Sequence, residues 1–327
     1  MNWLDDIRRR DQLLDWSEQG LLSAEQLERA LAPEQPWPDQ RHWRLALDRL
    51  LAGYGSLLLA LGVIFFFAFN WDELHRLYKL ALALAAVTGF AGGSLLQQPG
   101  SALYRACLFG AALTTGAVLA LVGQTYQTGA DIWQLFAGWA LLMLPWVLIS
   151  RSAACWGLFW VVFNLALLRY FAHYPHWPHP HWPLSAPGLL ALAGGNLLLL
   201  LVFELWGGRL FPQAGRSLPR LAAFALLSAL TLGGCGSWWE EGFQSLLLAL
   251  VLAWLIGIPL YLRWRRDLLM LALLLYSMVG LTASALASLL DNLSDDFTLL
   301  NVLGLYVLLA SAAASLWLHR LHKEDGQ

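Results

Sequence analysis

From Leu50 to Phe69 the chain runs for 20 residues without a charge, L-L-A-G-Y-G-S-L-L-L-A-L-G-V-I-F-F-F-A-F. At 1.5 Å rise per residue such a run makes about 30 Å of helix, the thickness of a bilayer's hydrocarbon core. This spacing predicts a membrane-spanning helix. A polar knot, Asn70-Trp71-Asp72-Glu73, follows, and a second apolar run begins at once. The unit is therefore a helical hairpin whose tip sits at one membrane surface, and the rest of the chain repeats the plan.

Composition agrees. Hydrophobic residues make up 58% of the chain and charged ones 13%, whereas a soluble domain of this size carries charge on about a quarter of its residues. The reading is an all-α, polytopic membrane protein in contact with the lipid bilayer. The net charge of -2 gives no support to a nucleic-acid partner. Met1–Asp15 is charged and the first apolar run starts at Leu50, so the first span is expected to direct insertion. Cys107, Cys155 and Cys235 fall inside predicted spans without paired spacing and read as small packing residues.

Charge-free runs place ten spans near 50–69, 78–97, 103–122, 132–149, 153–171, 187–206, 219–235, 243–262, 268–290 and 298–318. Residues 1–49 then form a small helical head and linker, 50–318 the bundle and 319–327 a tail. In the head, Trp3, Leu4, Ile7 and Leu14 recur at helical spacing and Gly20 is a stop signal. Ser23-Ala24-Glu25-Gln26 is a capping box opening a helix to about Leu31, Pro33–Pro38 is a linker, and Asp39–Arg49 runs into the first span.

Lysine and arginine test the count, because they remain cytoplasmic beside span ends. With the N-terminus inside, Arg8, Arg9, Arg10, Arg29, Arg41, Arg44, Arg49, Arg105, Arg151, Arg209, Arg216, Arg220, Arg263, Arg265, Arg266, Arg320 and Lys323 fall inside. Only Arg76, Lys79 and Arg169 fall outside. The expectation is a bacterial inner-membrane protein with both termini cytoplasmic. Acids precede the next helix in four of the five outward loops, at Asp72 and Glu73, Asp131, Glu240 and Glu241, and Asp295 and Asp296, where they would cap free N–H groups. A short likeness between Gly123–Arg151 and Gly236–Arg263 is of the kind a duplicated hairpin leaves. Gly89 with Gly93, and Gly280 with Ser284 and Ser288, have the four-residue spacing of close helix packing. Trp71, Trp133, Trp177, Trp182, Trp238 and Trp239 lie where an outer aromatic belt would.

The richest polar surface is the outer one. Asn70, Trp71 and Asp72 face it from the first hairpin, and Gln124, Tyr126, Gln127 and Asp131 from the loop that follows the third span. Amides, hydroxyls and carboxylates beside aromatic rings suit a polar ligand or a protein strand, although a loop that merely pins its helix ends would look the same. The head element L-L-D-W-S-E-Q-G-L-L-S-A-E-Q (Leu13–Gln26), L-G-V-I-F-F-F-A-F-N-W-D (Leu61–Asp72) and G-Q-T-Y-Q-T-G-A-D (Gly123–Asp131) together resemble a bacterial family of predicted membrane proteins known as domain of unknown function 2157. The resemblance is strongest from the head through the fourth span and implies an inner-membrane protein, in a family that is often encoded beside other membrane or periplasmic proteins. It supplies no catalytic residues.

Other chemistry is sparse. Four histidines in the His173–Trp182 loop suggest metal, but its prolines favour an extended helix rising about 3.1 Å per residue, which sets His173, His176 and His179 roughly 9 Å apart, too far to share one ion. No Gly-rich phosphate loop, His-Glu-x-x-His helix or Gly-x-Ser-x-Gly elbow occurs, so neither an enzyme, a cofactor nor a metal is expected. Asn164 and Asn196 are the deep polar groups and Glu204 is the acid inside a span, close to its cytoplasmic end. Proton-coupled carriers keep ionisable groups at mid-membrane. The sequence therefore points to a non-enzymatic binding or accessory protein that meets a periplasmic or membrane partner, with a small-solute permease using Asn164, Asn196, Thr114 and Thr115 as the alternative.

Overall fold

The computed structural model describes residues 13, 16–17, 19, 21–31, 40–69, 75–126, 129–173, 185–212, 215–291 and 296–324. These residues form eleven helices: α1 Ala24–Leu31, α2 Gln40–Phe69, α3 Arg76–Leu95, α4 Ala102–Tyr126, α5 Ile132–Ser150, α6 Ala153–His173, α7 Ala186–Leu210, α8 Ser217–Gly236, α9 Gln244–Pro259, α10 Leu268–Leu290 and α11 Asp296–Glu324. A π-turn, Leu260–Trp264, continues α9. Helices α3 to α11 are each long and apolar enough to cross a membrane, and each coincides with one of the predicted spans from the second to the tenth. The first predicted span lies within α2, which runs unbroken from Gln40 as the sequence suggested. The protein is an all-α polytopic membrane protein.

The chain divides into two compact units, Met1–Gly55 and Ser56–Gln327. In the first, the capping box forms: Gln26 N donates to Ser23 Oγ and Ser23 N to Gln26 Oε1, at 3.3 and 2.9 Å. Gly20 and the Pro33–Pro38 linker lie outside the described residues.

In the second unit α8 is the central helix, packed against α7, α9, α10 and α6. Small residues make this possible. A Cβ at Gly233 would stand 2.5 Å from Leu246 Cδ1, and one at Gly234 3.1 Å from Leu281 Cδ1 and 3.3 Å from Leu250 Cδ2. Between lipid-exposed helices the hydrophobic effect does not distinguish neighbour from solvent, so close backbone approach and interhelical hydrogen bonds hold the bundle. Indole N–H groups supply several of those bonds: Trp139 Nε1 to Ala112 O, Trp146 Nε1 to Thr115 Oγ1 and Trp254 Nε1 to Ser277 Oγ, at 2.8, 3.2 and 2.8 Å. Helix α11 leans on α10 through Tyr276–Ser315 and Thr282–Tyr306 hydroxyl contacts. Its outer face, with Phe297, Leu300, Leu305 and Leu308, is exposed as a lipid-facing surface must be.

Several local expectations are corrected. Of the Gly89 and Gly93 pair, Gly93 meets Cys107 Sγ at 3.6 Å, but a Cβ at Gly89 would meet nothing within 4 Å. The tight approaches on this side of the bundle are Gly110 against Phe90 and Gly116 against Trp139, where a Cβ would stand 2.5 and 2.4 Å from the rings. Acids cap fewer outward helices than expected. His75, not Asp72 or Glu73, is the N-cap of α3, and Phe243, not Glu240 or Glu241, is the N-cap of α9. Gly242, at φ 103°, turns the chain between those glutamates and the helix.

Candidate functional site

The predicted outer residues are only partly described. Asn70, Trp71, Asp72 and Gln127 lie outside the described residues, as does the His176–His181 part of the histidine loop; His173 ends α6. Gln124 and Tyr126, expected in a loop, occupy the last turn of α4 and are exposed. The helix continues to Tyr126, and Gly129, at φ 64°, takes a backbone conformation that favours glycine before α5. Asp131 is the N-cap of α5, in a capping box with Gln134, whose Oε1 accepts from Asp131 N at 3.2 Å. Close by, Trp133 stacks edge-on against Tyr170 of α6 at 4.9 Å, while its Nε1, and Thr125 Oγ1 on α4, are buried without a hydrogen-bond partner. These two groups are unspent polar capacity beside the loop.

The deep polar groups behave differently. Asn196, at the middle of α7, is fully buried, and Asn164, at the middle of α6, faces it. Asn196 Nδ2 donates to Asn164 Oδ1 at 2.6 Å and to Leu192 O at 2.9 Å. Asn196 Oδ1 accepts from Trp160 Nε1 at 2.8 Å, and Asn164 Nδ2 donates to Trp160 O at 2.8 Å. Thr114 and Thr115 return their hydroxyls to the Gly110 and Ala111 carbonyls of their own helix. Each of these side chains spends its capacity inside the bundle.

A second cluster, which sequence reasoning missed, lies where α7 ends, α8 begins, the π-turn closes α9 and α10 begins. Asp267 is wholly buried and is the N-cap of α10, accepting from Leu269 N and Met270 N at 3.1 and 3.3 Å. The same carboxylate receives Arg220 in a bidentate pair, Nε to Oδ2 and Nη2 to Oδ1, both at 3.1 Å. Arg216 Nε stands 2.8 Å from Oδ2 but is not aligned for a hydrogen bond, so that contact is ionic. Arg216 instead donates from Nη2 to Glu204 Oε1, and its guanidinium lies 5.8 Å over the Tyr261 ring. Glu204 also accepts from Tyr261 Oη at 3.2 Å and from Arg265 Nη1, which reaches Glu204 O at 2.9 Å as well.

The π-turn aims two of these groups. Pro259 lacks an N–H, and after it the ladder widens, with Arg265 N bonding to Leu260 O at 3.0 Å. Tyr261 and Arg265 then both reach Glu204 on α7. At the same bundle end Arg151, in the left-handed conformation at φ 47°, donates from Nε to Arg209 O at 3.0 Å. One signal could have found the cluster: a single acid, Asp267, between an arginine-rich connection and an apolar run, with Glu204 the one acid inside a nearby span.

Residues 14–156 match the model of the family described as Predicted membrane protein (DUF2157), and over that stretch the resemblance carried by the motifs holds. The match includes Gly123–Asp131 and ends before Glu204 and Asp267. No curated protein and no solved structure matches the chain.

Proposed function

We propose that this multi-pass membrane protein is a non-enzymatic binding or accessory component of a bacterial inner membrane. Both termini are cytoplasmic in this reading, and a partner protein or envelope component is engaged at the periplasmic face through residues 70–72 and 124–131. The observation that carries the reading is the closed Asn164–Asn196–Trp160 network. A solute pathway needs polar groups free to exchange bonds with a passing solute, and here the deep amides are satisfied by each other and by backbone. A bundle whose deep amides close on each other, with an exposed amide and hydroxyl at the end of α4, suits recognition better than permeation. Gln124 and Tyr126, both exposed, offer an amide and a hydroxyl there, near the Trp133–Tyr170 aromatic pair.

Photo-crosslinking side chains placed at Gln124 and at Tyr126 in intact cells test this. Both are expected to yield the same discrete adduct, absent when the crosslinker is placed at Leu205. Adducts of equal yield from all three positions, or from none, would sink the proposal. Asp131→Asn is expected to leave capture unchanged if the carboxylate only caps α5, since asparagine caps about as well as aspartate, and to abolish it if the charge contacts the partner.

A further inference from the structure

We propose that the arginine cluster at the end of α7 and the π-turn is a docking site for the phosphate of an anionic membrane lipid. The inference rests on the membrane-spanning fold and is independent of the partner proposed for the outer face. Arg216, Arg220 and Arg265 share two carboxylates, Glu204 and Asp267. Arg263 is exposed on the same π-turn. Three guanidinium groups against two carboxylates leave one positive charge in the cluster, and Arg263 adds another on the same turn.

Donors are also left over. Arg265 spends only Nη1 on Glu204, and Arg220 spends Nε and Nη2 on Asp267, out of the five N–H groups each guanidinium carries. Their side chains are 50% and 41% exposed, so the remaining donors face outward. A fork of this kind matches phosphate oxygens.

What surrounds the cluster selects a lipid over free phosphate. Trp264 stands between Arg263 and Arg265 and is 84% exposed, and Leu205 and Trp206, next to Glu204 on α7, are 67% and 49% exposed. An indole beside arginine at a span end sits at headgroup level, with the leucine in the acyl region beneath it. The fitting ligand therefore has a phosphodiester and an apolar tail. A zwitterionic lipid brings its own ammonium and neutralises less of the surplus, so an anionic headgroup such as phosphatidylglycerol is preferred.

The test uses the full-length protein, purified in detergent and mixed with phosphatidylglycerol or phosphatidylcholine. Lipid adducts are counted by native mass spectrometry. Phosphatidylglycerol is expected to be retained in preference to phosphatidylcholine. The double variant Arg263→Gln with Trp264→Leu leaves every ion pair in place, and its unfolding temperature without lipid should equal the parent's. Retention of phosphatidylglycerol should fall about fivefold in that variant, the worth of one basic group near an anionic headgroup, while phosphatidylcholine adducts stay constant. Equal retention of the two lipids, or undiminished phosphatidylglycerol in the variant, overturns the site. Stabilisation by inorganic phosphate as large as that by the lipid overturns the choice of a lipid as ligand.

Discussion

Asp267 does two things with one carboxylate: it caps α10 and it neutralises Arg216 and Arg220. Two substitutions separate the tasks. Asp267→Asn keeps a capping oxygen but removes the charge, leaving two guanidinium groups facing a neutral amide at a site with no exposure. Breaking a buried pair from one side costs about 3–5 kcal/mol, and the low end applies because both arginines are partly exposed and can turn outward. Asp267→Ala should lose about a further 1 kcal/mol for the missing cap. Thermal unfolding of the purified protein in one detergent checks the order wild type, Asn, Ala; an Asn variant as stable as the parent would show that the ion pair contributes nothing net. The asparagine pair allows a cleaner cycle. Asn196→Leu strands Trp160 Nε1 and Asn164 Oδ1, and should cost about 1–2 kcal/mol. Adding Asn164→Leu should cost less than its single-variant effect, because the stranded acceptor is then gone. Strict additivity of the two would refute the network.

At the scale of elements, the bundle depends on a few glycines whose neighbours are rigid. Gly116→Ala drives a methyl into the Trp139 ring, which is held by its bond to Ala112 O, and overpacking of this kind costs about 1–3 kcal/mol. Gly89→Ala meets open space and should leave stability unchanged or slightly raised. The pair is decided by unfolding midpoints, and equal losses at both positions would contradict the packing described. Sequence spacing alone favours Gly89 with Gly93, since a four-residue repeat marks a face without telling which helix, if any, covers it. The elements themselves were legible. The expected spans 132–149 and 268–290 meet helices Ile132–Ser150 and Leu268–Leu290, because a charge-free run of bilayer length has no other stable form. Helix ends were less so. Gln124 and Tyr126 remain helical past the predicted span end at 122, because polar side chains end a span without breaking a helix. Least legible was the ion cluster: Arg220 and Asp267 are 47 residues apart in the chain, and the sequence marks each only as a span-flanking charge.

At the scale of the whole molecule, long-range contacts separate by membrane side as the charge pattern requires. Arg151 with Arg209, Glu204 with Arg216 and Arg265, and Asp267 with Arg216 and Arg220 join only residues assigned to the inner face. Trp133 with Tyr170, and Trp238 with Ser284, join only residues assigned to the outer face. Between Glu204 and Asp267 the chain must therefore cross and return, which α8 and α9 do. An error of one span in that region would place the partners of a buried ion pair about 30 Å apart, on opposite sides of the hydrocarbon. The contacts support the parity of the spans without saying which face is cytoplasmic; the arginine distribution carries that step. Truncations fused to a fluorescent reporter that matures only in the cytoplasm should be bright at Arg151, Arg216 and Arg265. Fusions of a phosphatase active only in the periplasm should respond at Asp131, Pro180 and Asp295. Reversal at all six positions would keep the fold and invert the molecule, moving the arginine cluster to the periplasmic leaflet. Reversal at two or three would break the pairing of spans, and with it the contacts on both faces.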